Sequence, residues 1–273
     1  MRGKQERQQN MAENKALSGK TVLLTRENNE SLSGVLSERG ATALEIPLIK
    51  VEHSAREEDA RDVMDEMGHY DWITFSSANG VKGFFREFFK RFDDIRCIGI
   101  ARIACVGSAT EAELKKYHLR ADAVPDISTA EAMIEKMAEY ETLENLKVLC
   151  VRGNLSSPDA IRALESKHNA ITDSIEVYKT SPVDLKANPV PDIEKFRKGG
   201  ADAVVFASPS AVESFLSNAQ SLATRAEAKR PKIISIGPAT SAALRKRDLQ
   251  IAKESPSPYP EAVADSIVSA LSE

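Results

Sequence analysis

Six short segments of small and polar residues could do chemistry, because each directly follows a run of β-forming residues. Small residues let a ligand approach the backbone, and the free N–H groups that begin a following helix attract negative oxygens. We therefore expect these segments to bind an anion. Taken singly, each serine or threonine is better explained as a helix N-cap, and it is the duplication of the loops that favours binding. The candidate residues are Thr25, Arg26, Ser76, Ser77, Asn79, Gly80, Gly107, Thr110, Arg152, Gly153, Ser208, Pro209, Ser210, Gly237, Pro238 and Thr240.

Tyr178 is the one further side chain that we single out, in the extended segment SIEVYKTSPVD at 174–184. Its hydroxyl could donate a hydrogen bond to a ligand. A half-buried strand tyrosine with no role in binding is an equally open interpretation.

Several other chemistries are not indicated by the sequence. Neither GxGxxG nor GxxxxGK[ST] occurs, which argues against a nucleotide cofactor or ATP. The four histidines are scattered and the three cysteines show no CxxC spacing, so we expect no metal site and no cofactor. No histidine lies in the six segments, which argues against a Ser-His-Asp arrangement.

An internal repeat organises the candidate loops. DWITFSSANGVKGFF at 71–85 reappears as DAVVFASPSAVESFL at 202–216, and IACVGSATEAELKKYHL at 103–119 reappears as IISIGPATSAALRKRDL at 233–249. A weaker pair is VLLTR at 22 and VLCVR at 148. This period is far longer than that of solenoid repeats, so it indicates a duplicated domain.

The elements that must position the loops are strands alternating with helices. Short β-rich runs begin at residues 20, 72, 103, 147, 203 and 232, and helical periodicity follows them, which predicts parallel sheets with helices on both faces. After the run at 72, apolar residues recur from Val81 to Phe89 with the spacing of one helix face. Two extended segments with Pro47 and Pro182 interrupt the pattern and predict linkers.

Composition places the chain among ordinary globular proteins. It has 273 residues, of which 42% are hydrophobic and 29% charged, so two domains are expected. A net charge of −4 gives no reason to expect nucleic acid or a membrane as partner. Residues 1–18 are polar and predict a disordered extension, and we expect a cytoplasmic protein.

The loops, taken in order, resemble those of uroporphyrinogen-III synthase, an enzyme of tetrapyrrole biosynthesis. The resemblance runs from about Gly19 to the C-terminus and rests on the ordered set VLLTR, FSSANGV, VGSAT, VRGN, EVYKT, FASPSAV and IGPAT. No single motif is highly specific, and the order of the set carries the resemblance.

The resemblance implies an α/β fold of two similar domains, each a flavodoxin-like doubly wound parallel sheet flanked by helices. It implies one domain from residues 19–46 plus 181–273, a second from 53–174, and an antiparallel linker of strands 47–52 and 175–180. The repeat alone would suggest a simple division near residue 145.

The implied activity is that of a lyase that dehydrates and cyclises a linear tetrapyrrole, hydroxymethylbilane, to uroporphyrinogen III. Tyr178 would assist departure of the hydroxyl group, and the sixteen loop residues would bind the substrate's carboxylates. The resemblance further implies a cofactor-independent monomer, with the preceding enzyme of the pathway as a transient partner.

One segment departs from the family pattern and leaves other functions open. The family commonly has a further arginine shortly after the Arg152-Gly153 pair, where this chain has Ser156-Ser157-Pro158-Asp159. A non-catalytic module that binds a tetrapyrrole or another polyanion is therefore a second hypothesis. A two-domain glycosyl- or phosphosugar-binding enzyme is a third.

Overall fold

The computed structural model describes residues 15–272. The chain divides into two compact units: one holds the chain up to Lys50 together with the chain from Ser181 onward, and the other holds Val51–Thr180. The chain thus leaves the first unit once and returns to it once. The two changes of unit fall in or beside the segments for which the sequence predicts linker strands.

The first unit contains a five-stranded sheet, sheet A, in which every recorded strand pair is parallel. Its order is β2-β1-β8-β9-β10, which is the flavodoxin-like order 2-1-3-4-5 when the strands are numbered within the unit. The strands are β1 Thr21–Leu24, β2 Thr42–Glu45, β8 Ala203–Phe206, β9 Lys232–Ser235 and β10 Ile251–Glu254. The helices are α1 Glu30–Glu38, α7 Asp192–Gly199, α8 Pro209–Ser217, α9 Pro238–Lys246 and α10 Pro260–Ser272.

The second unit contains sheet B, with the order β5-β4-β6-β7-β3. Its strands are β3 Ile49–His53, β4 Trp72–Phe75, β5 Arg102–Cys105, β6 Lys147–Gly153 and β7 Ile171–Pro182. Its α-helices are α2 Glu57–Asp65, α3 Ala78–Arg91, α4 Ser108–Lys115, α5 Ala130–Ala138 and α6 Asp159–His168, with 3-10 turns at Met67–His69 and Ile95–Ile98. All six strands predicted from β-rich runs are present.

Sheet B is mixed, because the antiparallel strand β3 joins its parallel strands β4 to β7. The N–H of Ser54 donates to Val177 O and the N–H of Val183 donates to Leu48 O, so β3 and β7 run in opposite directions. The predicted linker strand 175–180 lies within β7, and its residues Ile175, Glu176 and Tyr178 pair with β6. The segment predicted as a linker is therefore part of the sheet that carries it.

The core of the second unit follows from the apolar stripe of α3. Val81, Phe84, Phe85 and Phe88 are fully buried, as their i, i+3, i+4, i+7 spacing predicts, whereas Phe89 is 43% exposed. Lys90 and Arg91 lie in the last turn, where they complement the negative end of the helix dipole. The stripe is a packing face that fixes α3 against sheet B.

The repeated residues Asp71 and Asp202 brace equivalent strands at their amino ends. The Asp71 carboxylate accepts the Lys147 N–H at the start of β6, at 2.7 Å. The Asp202 carboxylate accepts the Thr21 N–H at the start of β1, at 2.8 Å. The repeat therefore matches β6 with β1, as the weak VLLTR and VLCVR pair indicates.

The predicted disordered extension, residues 1–18, is too long at its C-terminal end. Its residues 1–14 lie outside the described residues. Leu17, however, is fully buried in the apolar core of the first unit, and its N–H donates to Arg39 O at 3.0 Å. The packed chain therefore begins before Gly19.

We predict that the two aspartate braces differ in strength. Asp202→Ala should lower the free energy of unfolding by about 1–3 kcal/mol, because it leaves the partly buried Thr21 N–H without an acceptor. Asp71→Ala should cost less, because the Lys147 N–H is exposed and water can replace the carboxylate. Denaturant titration of both variants measures the difference.

The effect of Asp202→Ala should also depend on pH. Burial would raise the pKa of Asp202, but the Thr21 N–H and the Lys229 ammonium outweigh it and lower the pKa. Stabilisation by Asp202 is thus complete above the ordinary carboxyl pKa of about 4 and is lost as pH falls through the lowered, folded-state value. A difference between wild type and variant that persists unchanged into strong acid would contradict this assignment.

Candidate functional site

Four helices begin at the carboxyl ends of adjacent parallel strands, and the repeat gives them matching starts. Ser77 and Ser208 are N-caps with nearly the same backbone angles, φ −163° and ψ 157° against φ −165° and ψ 158°. Gly107 and Gly237 occupy the cap positions of α4 and α9 in extended backbone, with φ 173° and 166°. The candidate loops therefore form one rim on each sheet, rim A on sheet A and rim B on sheet B.

The first turns of these helices present unpaired donors. In rim B, the N–H groups of Asn79 and Ala109 have no acceptor within the described chain, and the same holds for Ser210 and Thr240 in rim A. The first four N–H groups of a helix lack an intrahelical partner, and the helix dipole places partial positive charge there. Each rim can therefore accept negative oxygens through backbone donors.

A hydrogen bond joins two candidate residues in rim B. Ser77 Oγ accepts the Gly80 N–H at 3.0 Å, as an N-cap does, and donates to Tyr178 Oη at 3.0 Å. The phenol oxygen of Tyr178 thus acts as acceptor towards Ser77. Its own proton has no acceptor within the described chain and can be donated to a ligand.

Gly153 provides the space that the Tyr178 ring occupies. A Cβ atom at Gly153 would lie 2.5 Å from Tyr178 Cε2 and 2.8 Å from Cε1, far inside van der Waals contact. The register of β6 and β7 shifts here: Arg152 pairs with Glu176, and Gly153 pairs with Tyr178. The bulged residue is Val177, and bulges of this kind re-aim side chains next to functional sites.

Asn154 fixes the backbone around Tyr178. Its side chain accepts the Thr180 N–H at 2.8 Å and donates to Thr180 O at 3.1 Å, while its own N–H donates to Tyr178 O. The Gly153 N–H donates to Ser156 Oγ at 3.1 Å. The Gly153 N–H is therefore engaged within the loop through Ser156, and Asn154 holds β7 in place.

Rim A has the same frame without a tyrosine. Ser208 Oγ accepts the Ala211 N–H at 3.2 Å and lies 2.9 Å from Ser210 Oγ. Thr25 is 1% exposed and donates its hydroxyl to Val205 O at 2.7 Å. The Thr25 hydroxyl proton is therefore engaged in joining β1 to β8.

The two candidate arginines form no ion pair with any described carboxylate. Arg26 follows β1 in rim A, and Arg152 lies near the end of β6 in rim B. Arg26 is exposed, yet the surrounding protein displaces water from its guanidinium and lowers its pKa. A bound anion would provide the charge compensation that this side chain lacks.

Other site types find no support in the described residues. No group of three or more His, Cys, Asp or Glu side chains between residues 15 and 272 could hold a metal ion. Burial raises the pKa of Cys105 and Cys150 to about 11, so both thiols stay protonated near neutral pH. No helix in the part of the chain that the structure describes could cross a membrane.

Comparison with known protein families shows to which family the chain belongs. Residues 30–265 match the family model described as Uroporphyrinogen-III synthase HemD. The chain belongs to this family. The resemblance of the ordered loop motifs is thereby confirmed.

Two curated relatives of the family illustrate the similarity. The porphyrin biosynthesis protein HemD of Ruminiclostridium josui is 30% identical over 206 residues, which are 75% of this chain and 40% of that protein. The uroporphyrinogen-III synthase of Synechococcus elongatus is 24% identical over 235 residues, which are 82% of this chain and 85% of that protein. The chain thus spans about two fifths of the length of the Ruminiclostridium relative.

Two solved structures of the family share the fold. A uroporphyrinogen III synthase from Thermus thermophilus has a TM-score of 0.65 at 17% identity and covers 93% of this chain and 99% of its own. The enzyme from Helicobacter pylori has a TM-score of 0.59 at 14% identity, with 92% and 99% covered. At these identities the likeness shows the fold alone.

Within each unit, the structure brings the predicted site residues of this family member to the carboxyl edge of one sheet. Direct side-chain contact is shown for Ser77 with Tyr178 and for Ser208 with Ser210. Thr110 and Thr240 are each 3% exposed in the first turn of their helices. The edge of sheet B carries Ser76, Ser77, Asn79, Gly80, Gly107, Thr110, Arg152, Gly153 and Tyr178, and that of sheet A carries Thr25, Arg26, Ser208, Pro209, Ser210, Gly237, Pro238 and Thr240.

Sequence reasoning did not predict two of the contacts around Tyr178, although Asn154 lies in the VRGN motif. His53 lies with its ring centroid 6.4 Å from that of Tyr178, at an interplanar angle of 49°. Asn154 holds the backbone of β7. Both depend on the pairing of β7 with other strands, and no local motif indicates either contact.

We predict that Gly153→Ala displaces the Tyr178 ring and lowers the free energy of unfolding by about 1–3 kcal/mol through overpacking. Gly34→Ala is the matched control. A Cβ at Gly34 meets nothing within 4 Å in α1, so that variant should gain about 0.5–1 kcal/mol. Thermal unfolding of both variants measures the opposite signs.

A Tyr178→Ala background tests whether the Tyr178 ring causes the destabilisation by Gly153→Ala. In Tyr178→Ala, the cost of Gly153→Ala should largely disappear, because the ring that the new methyl group meets is absent. An unchanged cost in that background would show that Gly153 is required for some other reason.

Proposed function

We propose that this chain is a uroporphyrinogen-III synthase, a lyase that converts hydroxymethylbilane to uroporphyrinogen III with inversion of the last pyrrole ring. The names of its relatives and its membership of the family support the proposal. The observation that carries it is Tyr178, held through Ser77 at a rim of unpaired N–H donors. That arrangement suits a substrate with many carboxylates and one labile hydroxyl group.

The proposed chemistry begins at the hydroxymethyl group of the first pyrrole ring. Tyr178 donates its proton to the departing hydroxyl, the C–O bond breaks, and water leaves together with formation of an azafulvenium cation. The last ring attacks through its substituted carbon and gives a spiro intermediate, which fragments and recloses with that ring inverted. The proton lost when the ring system regains aromaticity returns to the Tyr178 phenolate, so the balance closes without cofactor or redox step.

Positioning would contribute more than proton transfer in this reaction. The linear tetrapyrrole also cyclises unaided to the uninverted type I isomer, so the enzyme must mainly select one geometry. Holding reacting ends together can contribute up to about 7–11 kcal/mol, whereas one positioned acid typically contributes about 10² to 10⁴ in rate. A site composed of many neutral N–H donors and few ionisable groups fits that division.

Three further properties stay predictions of the proposed function. They are a cytoplasmic location, a monomeric state and a transient contact with the enzyme that supplies the substrate. The proposed ligand is a small molecule, and the net charge of −4 offers nucleic acid no general attraction.

The isomer ratio of the product tests the proposed function. Purified protein incubated with hydroxymethylbilane should give mainly type III uroporphyrinogen, and a protein-free blank should give type I. Chromatography of the oxidised products separates the two isomers. Binding of the substrate with the blank's isomer ratio would instead indicate a non-catalytic module and would refute the proposal.

We predict that Arg26→Gln and Arg152→Gln each raise KM by about tenfold to a hundredfold, because a charge-assisted hydrogen bond contributes about 1.5–3 kcal/mol. Neither variant should change the free energy of unfolding by more than about 0.5 kcal/mol, since neither side chain has an ion-pair partner among the described residues. Steady-state kinetics at several salt concentrations measures the effect.

Arg96→Gln is the control for net charge. Arg96 pairs with Asp94 at 2.5 Å in the loop that precedes β5, at the opposite edge of sheet B from rim B. The KM of the Arg96→Gln variant should equal that of the wild type. If both rim variants kept the wild-type KM, neither arginine would contribute to substrate binding.

A further inference from the structure

We infer that Ser77 is a positioning residue for Tyr178, in place of the carboxylate-binding role that the sequence suggests. The inference rests on the proposed function and deepens it, since it assigns what aims the proton donor. Its observations are the two hydrogen bonds of Ser77, the space left by Gly153 and the clamp formed by Asn154.

The hydrogen bonds of Ser77 run in one direction. The Gly80 N–H donates to Ser77 Oγ, and Ser77 in turn donates to Tyr178 Oη, both at 3.0 Å. The Ser77 hydroxyl oxygen already accepts one hydrogen bond, and its only proton is already donated to Tyr178. Binding a substrate carboxylate as a donor would require it to give up Tyr178.

The bond from Ser77 determines where the tyrosine proton can point. A phenol proton prefers to lie in the plane of its ring, where it can point to either side of the C–O bond. A hydrogen-bond donor on one side leaves only the other side for the proton. Ser77 occupies the first position, so the proton of Tyr178 is directed away from α3. Hydrogen bonds in a chain also strengthen one another, so the bond from Ser77 makes Tyr178 a better donor.

The helix start adds an electrostatic contribution. Ser77 is the N-cap of the 14-residue α3, so the Gly80 N–H belongs to the positive end of that helix dipole. When Tyr178 gives up its proton, the phenolate retains a hydrogen bond from Ser77, which faces this positive end. The arrangement therefore favours the charge that develops on Tyr178 as the hydroxyl departs.

The ring and backbone of Tyr178 are fixed independently of Ser77. An alanine methyl group at Gly153 would overlap the ring, and Asn154 holds Thr180 through two hydrogen bonds. Removal of the Ser77 hydroxyl should therefore free the direction of the phenol proton without moving the residue. This separation makes the role of Ser77 testable.

The test is a double-mutant cycle of Ser77→Ala and Tyr178→Phe. Tyr178→Phe should lower kcat by about tenfold or more. Ser77→Ala should lower kcat about threefold to tenfold with KM nearly unchanged, and should have less than about a twofold effect on kcat in the Tyr178→Phe background. Ser77→Thr, which keeps the hydroxyl, should restore most of the activity.

Stability provides the contrast within the cycle. Ser77→Ala removes an N-cap in both backgrounds and should lower the midpoint of thermal unfolding in both, by somewhat more where the Tyr178 hydroxyl also loses its donor. Ser208→Ala is the matched variant, because it removes the equivalent cap of α8, whose serine partner is Ser210 and not a tyrosine. Its effect on kcat/KM should multiply with that of Tyr178→Phe.

Two results would overturn the inference. One is an equal loss of kcat on Ser77→Ala with and without the Tyr178 hydroxyl, and the other is a loss expressed only in KM, as for a carboxylate ligand. A spectroscopic measurement separates this failure from failure of the proposed function. The 13Cζ resonance of Tyr178, assigned by its absence in Tyr178→Phe, should shift in Ser77→Ala but not in Ser208→Ala, and an unshifted resonance refutes the inference even in a protein without turnover.

Discussion

Parallel pairing brings the carboxyl ends of adjacent strands to one edge of each sheet, and every feature of the candidate site depends on that constraint. In sheet A, Leu24 pairs with Val205 and Phe206 pairs with Ser235, so the strands end nearly level. The loops that follow them begin side by side. The braces of Asp71 and Asp202 lie at the amino ends, which leaves the carboxyl ends available for binding.

Duplication has preserved the frame of the two rims and changed what one of them carries. The caps Ser77 and Ser208 keep the same backbone angles, but only the serine of rim B contacts a tyrosine. The difference originates in β7, where the bulge at Val177 brings Tyr178 opposite Gly153. In sheet A, β1 and β2 pair without a shift and end at Leu24 and Glu45. The two rims thus share their helix starts and differ in the hydroxyl donor that β7 provides to rim B.

Much of the fold could be predicted from the sequence, because buried strands and apolar helix stripes leave local signals. The strands β2 and β10 were missed because they lack these signals. Only Leu44 is buried in β2, and all four residues of β10 are half-buried, so neither forms a run of apolar residues. The bulge at Val177 and the contact of His53 with Tyr178 arise from pairing between distant segments. Loop position alone could indicate that Ser77 and Tyr178 belong to a site, but not that they contact each other.

The chemistry of the rims explains why so few ionisable groups are needed. An ordinary hydrogen bond contributes about 0.5–1.5 kcal/mol net, so a polyanion held by many backbone N–H groups is bound without dependence on any one of them. Backbone donors also keep fixed positions, because sheet and helix determine them. Under the proposed function, the fold therefore specifies most of the geometry, and side chains supply what the backbone cannot: positive charge, from Arg26 and Arg152, and a proton. Tyr178 is the candidate proton donor, and the surrounding contacts of Ser77, Gly153 and Asn154 restrict it to one position, as a reaction governed by orientation requires.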